Sequence, residues 1–168
     1  MLKNLATYNN YLPLINGVII TDLLGVLLSN MGLLKSNILK KWYIQYNLSA
    51  IISDVTIILF GLLITKTIYF YIFDEFSLLK FIMIALSIQI IHDILFYFLF
   101  SNIPRGVNKM MDTFKDYANE VSYKAIIADS VMIILACLIS AYLVDISINT
   151  NVIILVVSLY LMPYLLYN

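Results

Sequence analysis

Charge is scarce in this chain. Only 12% of its 168 residues are charged, ten basic against ten acidic, and the net charge is zero. Soluble domains carry about 25% charged residues. A sparse and balanced charge argues against a nucleic-acid binder, which needs a basic excess to displace counterions. Cysteine and histidine are scarcer still, with Cys137 and His92 each standing alone. No internal disulfide can form. A Cys-based zinc site and a His-rich metal centre are both excluded within one chain. No serine sits in a nucleophile-elbow frame, and there is no glycine-rich phosphate loop. The residues indicate no catalytic constellation, no cofactor and no metal.

Apolar residues dominate instead, at 62%, against about 45–50% in soluble domains. A water-soluble fold of this size could not hide so much apolar surface. A membrane-crossing helix needs about 20 mostly apolar residues. Five runs qualify, at about residues 12–34, 48–71, 78–103, 124–144 and 152–167. The expected fold is an all-α integral membrane helical bundle, a single transmembrane domain over residues 1–168. The fifth run is short and carries Pro163, so it reads as a tilted span or a half-inserted helix. Residues 1–11 are mostly polar, and no small-x-small cleavage site follows the first run. The first span is therefore expected to stay as an anchor.

The connections sort the charges. One side holds Lys35, Lys40, Lys41, Arg105, Lys109, Lys115 and Lys124; the other holds Lys3, Lys66 and Lys80. The positive-inside rule makes the richer side cytoplasmic, which places the N-terminus out and the C-terminus in. Asn47-Leu48-Ser49 is a formal glycosylation acceptor, expected to be unused on that side. The two connections there carry helical patterns. Leu34, Ile38, Leu39, Trp42, Tyr43 and Tyr46 recur at helical spacing, with Lys40, Lys41 and Gln45 turned away. Met110, Phe114, Tyr117 and Val121 form an apolar stripe opposite Asp112, Asp116 and Glu120, after a Pro104-Arg105-Gly106 turn. Both read as interfacial amphipathic helices, the first with its aromatics at headgroup level.

Four spans carry an aspartate in one frame: Ile19-Ile20-Thr21-Asp22, Ile51-Ile52-Ser53-Asp54, Ile90-Ile91-His92-Asp93 and Ile126-Ile127-Ala128-Asp129. Isoleucine is abundant, the spacings are unequal, and successive helices run in opposite directions. A simple internal repeat fits badly. The acids matter regardless. Each costs about 2.5–3.5 kcal/mol at mid-span on insertion scales, and such groups face the protein interior. Their helical neighbours are small or polar: Gly25 and Ser29; Asn47, Gly61 and Thr65; Ala85, Gln89 and His92; Ala125, Ala136 and Ser140. These faces are the expected inner surface, with the acids in its cytoplasmic half. Arg105, Lys109 and Lys41 lie close enough in depth to pair with them.

Asn108, Asp112 and Asp116 fit an N-x-x-x-D-x-x-x-D pattern of the kind that holds magnesium and diphosphate in membrane prenyltransferases. Oxygen ligands on successive turns suit a hard cation. Those enzymes have about twice as many spans and a second acidic motif, absent here. The plainer reading is a solvated helix face with a Glu120–Lys124 ion pair. His92 and Asp93 are sequence neighbours whose side chains diverge by about 100°, so they are no ready-made catalytic pair.

Several stretches resemble a family of small polytopic membrane proteins of large DNA viruses of algae and protists. They are Leu39-Lys40-Lys41-Trp42-Tyr43, Leu48-Ser49-Ala50-Ile51-Ile52-Ser53-Asp54, His92-Asp93-Ile94-Leu95-Phe96, Pro104-Arg105-Gly106 and Asp112-Thr113-Phe114-Lys115-Asp116-Tyr117-Ala118-Asn119-Glu120. The resemblance implies a viral internal membrane or a host membrane as location, and carries over no activity or site residues. The first functional expectation is a structural or assembly component of such a membrane. The alternative is a small proton or cation channel or carrier built on the intramembrane aspartates, expected as a homo-oligomer at this size. A membrane enzyme is third. The expected partners are the bilayer and other copies, with no nucleic acid.

Overall fold

The computed structural model describes residues 5–7 and 10–167, and all regular structure among them is helical. Five long helices are apolar enough to cross a membrane: α1 (Tyr11–Asn30), α3 (Leu48–Ile72), α4 (Leu78–Asn102), α6 (Lys124–Leu143) and α7 (Ile148–Leu166). Two short amphipathic ones, α2 (Asn37–Tyr46) and α5 (Lys109–Val121), lie between α1 and α3 and between α4 and α6.

Two boundaries differ from the sequence reading. The first span ends at Asn30 rather than near 34, because Gly32 takes a left-handed conformation (φ 71°) that terminates the helix. The fifth starts earlier, at Ile148, where the Ser147 hydroxyl accepts from the Thr150 amide. Its 19 residues span about 28 Å. That length matches a hydrocarbon core of about 30 Å.

Helix α1 lies at the centre. It packs on α6, α3 and α7, while α4 packs on α3 and α6. Helices α1, α3, α4 and α6 therefore close a four-helix ring, with α7 laid along the outside of α1. The closest approach is at Gly17, where a Cβ would strike the Ser140 side chain and come within 2.8 Å of the Ala136 carbonyl and the Ser140 amide. A small residue at a crossing lets two backbones meet in lipid. Helix α7 runs parallel to α1 and is tied at both ends. Asn16 donates to the Asn151 carbonyl and side chain at 2.8 and 3.0 Å, and Asn30 donates to the Leu165 carbonyl at 2.6 Å.

The ring repeats its element order, although the aspartate frames by themselves fit a simple repeat badly. The order span, amphipathic helix, span occurs twice, as α1-α2-α3 and α4-α5-α6. Both inner corners use a non-glycine residue at positive φ, Asn47 (47°) and Ser122 (54°). Aligned on those corners, 75 positions apart, Ala50-Ile51-Ile52-Ser53-Asp54 falls on Ala125-Ile126-Ile127-Ala128-Asp129, Gly61 on Ala136 and Thr65 on Ser140. Asp22 and Asp93 lie on the corresponding helices α1 and α4 but 71 positions apart, four short of that alignment, or about one helical turn. The corresponding pairs, α1 with α6 and α4 with α3, are both packed together, the first much more extensively. Matching helices run in the same direction, so the two units are related about an axis along the bundle, as in parallel transporter repeats.

Helices α2 and α5 dock on each other across one end of the ring. Trp42 meets Phe114 with ring centroids 4.9 Å apart, and the Tyr46 hydroxyl donates to the Lys109 carbonyl at 2.8 Å. Their apolar stripes face the bundle end. Trp42 and Tyr43 are 5% and 6% exposed, so these two rings pack against protein.

Candidate functional site

Each ring helix turns its small and polar face inward. Asp22 is fully buried, and Asp54, Asp93 and Asp129 are half-buried. The carboxyls share one region at the end capped by α2 and α5. Asp22 interacts electrostatically with Asp54, Asp129 with Asp93, and Asp129 with Asp54. The first two contacts lie within one repeat unit each. The third crosses the junction between units, where it joins the two symmetry-matched acids.

The partners of these acids are unequal. Asp54 accepts from the Trp42 indole at 3.0 Å and from the Tyr43 hydroxyl, both on α2. Asp93 accepts from Gln89 one turn away and lies 3.3 Å from His92 Nδ1, a contact between sequence neighbours that turns the imidazole toward the carboxyl. Gln89 also accepts from Ser130 on α6 at 3.2 Å, linking two spans. Both oxygens of Asp22 are buried without a hydrogen-bond partner. A buried polar group left unbonded costs about 1–3 kcal/mol. Such an exception calls for an explanation.

The capping helices supply phenols. Burial, then the nearby Asp54, Asp22, Tyr117 and Asp129, push the Tyr43 hydroxyl well above its ordinary value. Tyr117 is pushed up to about 12 by burial first and then by Asp129, Asp54, Glu120 and Asp93. Both remain protonated donors at neutral pH, set among acceptors. In the repeat alignment Tyr117 occupies the position of Trp42, so each unit places one aromatic donor over the acids. Towards the opposite end the buried interior holds Leu14, Val18, Leu62, Phe81, Ile133 and Cys137 together with the polar Asn16, Thr65 and Ser140.

The cytoplasmic-face candidates are spent on holding the cap. Arg105 pairs with Asp116 at 2.8 Å, and Lys115 donates to the Ile103 carbonyl. Among the described residues, Arg105, Lys109 and Lys41 form no ion pair with the intramembrane aspartates. The expected Glu120–Lys124 pair is replaced by a cross-helix cap. Glu120 accepts from the Ser36 hydroxyl and from the Asn37 and Ile38 amides at 2.7–3.0 Å. Its carboxyl is held below its ordinary value by the Ser36 bond first, with burial pulling the other way, and then by the two amides. Asn108 caps α5 by accepting from the Met110 and Met111 amides, and Asp112 accepts from the Gly106 amide. The N-x-x-x-D-x-x-x-D groups therefore each serve the local fold rather than converging. No group of three or more His, Cys, Asp or Glu suited to a metal ion occurs among the described residues.

Sequence reasoning missed Asn16 and Asn151. Both are buried, and Asn151 also donates to the Leu143 carbonyl. Asn16 inside the first apolar run was the available signal, overshadowed by the acids, while Asn151 falls just before the fifth run as read from the sequence. No family model, no curated protein and no solved structure matches the chain, so the viral resemblance rests on the quoted residues alone.

Proposed function

We propose that this multi-pass membrane protein is a proton-handling carrier whose exchange site is the carboxyl cluster at the junction of the two repeat units. The observation that carries this reading is Asp22, fully buried, with neither oxygen hydrogen-bonded, beside a second carboxyl. Acids that merely fasten helices would be bonded across them. Here the fasteners between spans lie elsewhere, at Gly17, Asn16–Asn151 and Ser130–Gln89. Carboxyls with an adjacent imidazole are the components of intramembrane proton relays. Transport sites in repeat-built carriers lie at the repeat interface. The donor set suits a proton better than a bound metal, because the carboxyls do not converge on one point. In this reading the α2–α5 end is cytoplasmic, with the N-terminus out and the C-terminus in.

The test is proton flux into liposomes containing the purified full chain, with Asp22→Asn and Asp93→Asn beside the wild type. Flux in the wild type that falls at least tenfold in both folded variants is expected. Absence of flux in the wild type would overturn the carrier and restore a structural or assembly role.

A further inference from the structure

The outer rim of the α2–α5 cap carries basic groups that no acid answers. Lys35, Lys40, Lys41, Lys109 and Lys124 are all exposed, and among the described residues none of them forms an ion pair. The acids of the cap are occupied by the fold itself: Glu120 by the start of α2, Asp116 by Arg105 and Asp112 by the Gly106 amide. The intramembrane aspartates lie beneath, where Trp42 and Tyr43 cover Asp54. Glu120, near the end of α5, meets the first turn of α2, and Tyr46, in the last turn of α2, meets Lys109 at the start of α5. The two helices therefore run antiparallel. Lys35 precedes Ser36 and Lys124 opens α6 just beyond Glu120, so both border that junction, while Lys109 marks the other. Between them α2 turns Trp42 and Tyr43 inward and Lys40, Lys41 and Ile44 outward.

Apolar side chains are interleaved with these lysines. Ile44 is 63% exposed, one turn from Lys40 and Lys41, and Leu33, Val107 and Tyr123 are exposed beside Lys35, Lys109 and Lys124 in the chain. Helix α1 ends at Asn30 and α3 begins at Leu48, so α2 lies level with the ends of the spans, where acyl chains give way to headgroups. A hydrated acidic partner would answer the lysines and leave the apolar groups uncovered. A lipid answers both, phosphate to the ammonium groups and acyl chain to the apolar ones. Lysines so placed attract anionic headgroups over about one Debye length. We infer that the outer rim of the cap binds anionic phospholipid of the leaflet on its own side, with Lys40, Lys41 and Lys109 facing the phosphates and Ile44 the acyl chains. The surface is separate from the aspartate cluster and does not rest on the carrier reading.

The chain's single tryptophan, Trp42, is next to Lys41 on α2 and reports on lipid at this rim. The full chain is placed in phosphatidylcholine liposomes that contain a minor fraction of lipid brominated in its acyl chains, either phosphatidylglycerol or phosphatidylcholine. At low salt the brominated phosphatidylglycerol is expected to quench Trp42 about threefold more strongly than the same fraction of brominated phosphatidylcholine, and high salt to shrink that preference. Replacing Lys40 and Lys41 together by Gln is expected to remove most of it. Lys80→Gln, at the start of α4 on the opposite side, is expected to leave it unchanged. Equal quenching by both lipids in the wild type would overturn the site, and heparin bound by the protein in neutral liposomes would then assign the lysines to a soluble polyanion. A full preference surviving the replacement of Lys35, Lys40, Lys41 and Lys109 by Gln would also overturn it, as would an equal loss in Lys80→Gln. The wild-type comparison decides the question even if a variant fails to fold.

Discussion

At the scale of single residues, the chain separates stability from chemistry. Asp22 is buried and unbonded, so it opposes folding. Asp22→Asn keeps the shape and removes the ionisable group. It is expected to leave stability within about 1 kcal/mol of the wild type, because an amide there is as unbonded as the acid, while removing flux. Reversible unfolding in micelles reads the first effect. A loss of stability would show that Asp22 holds the helices together after all. Gly17 behaves in the opposite way. Its missing Cβ is what lets α1 reach the backbone of α6, and backbone atoms cannot rotate aside. Gly17→Ala is expected to destabilise the protein by about 1–3 kcal/mol or more, seen as a lowered melting temperature in the same micelles. Gly17 was not among the residues singled out from the sequence. A glycine in an apolar run signals close approach to something, but not to what.

At the scale of elements, the cap formed by α2 and α5 is the part most open to pH. Glu120 reaches across to the first turn of α2, answering amide donors that have no partner within that helix. Because its folded-state value is depressed, its contribution is complete above the ordinary value of 4.5 and is lost as pH falls through the lowered one. The effect is small, since the group is exposed and screened. Amide exchange at Asn37 and Ile38, corrected for its intrinsic pH dependence, is expected to quicken between pH 6 and pH 3. Glu120→Gln should show the faster exchange already at pH 7, with no further change on acidification. Unaltered protection in that variant would remove Glu120 from the cap. The sequence displayed both amphipathic patterns but not the protein surface that the aromatics of α2 meet. A helical apolar stripe specifies that one face leaves water. Lipid and a bundle end satisfy it equally, and the choice fell to Asp54, which takes the Trp42 and Tyr43 donors.

At the scale of the whole molecule, two like units and an added helix explain the shape. Helix α7 has no counterpart in either unit, and its parallel run along α1 sets the two chain ends of the bundle on opposite faces. Reporter tags at residues 40 and 115 are expected on the same, cytoplasmic side, with a tag following α7 there too. Finding residue 40 outside would reverse the orientation. Finding 40 and 115 on different sides would contradict the repeat itself.

Length and hydropathy were enough, in the sequence alone, to mark five apolar runs, the last left open between a span and a half-inserted helix, and two amphipathic connections, because the bilayer allows few ways to satisfy a backbone and sets a narrow length for each helix. Burial cost likewise kept the four aspartates off the lipid face. The tertiary structure decided which helices touch, and so paired Asp22 with Asp54 and Asp129 with both Asp93 and Asp54. It also revealed the repeat, which relates alternate helices and stays hidden while neighbouring spans are compared. And it left the oxygens of Asp22 and the ammonium of Lys66 without acceptors or donors. Hydropathy records how far each residue withdraws from water; only packing determines what it meets there.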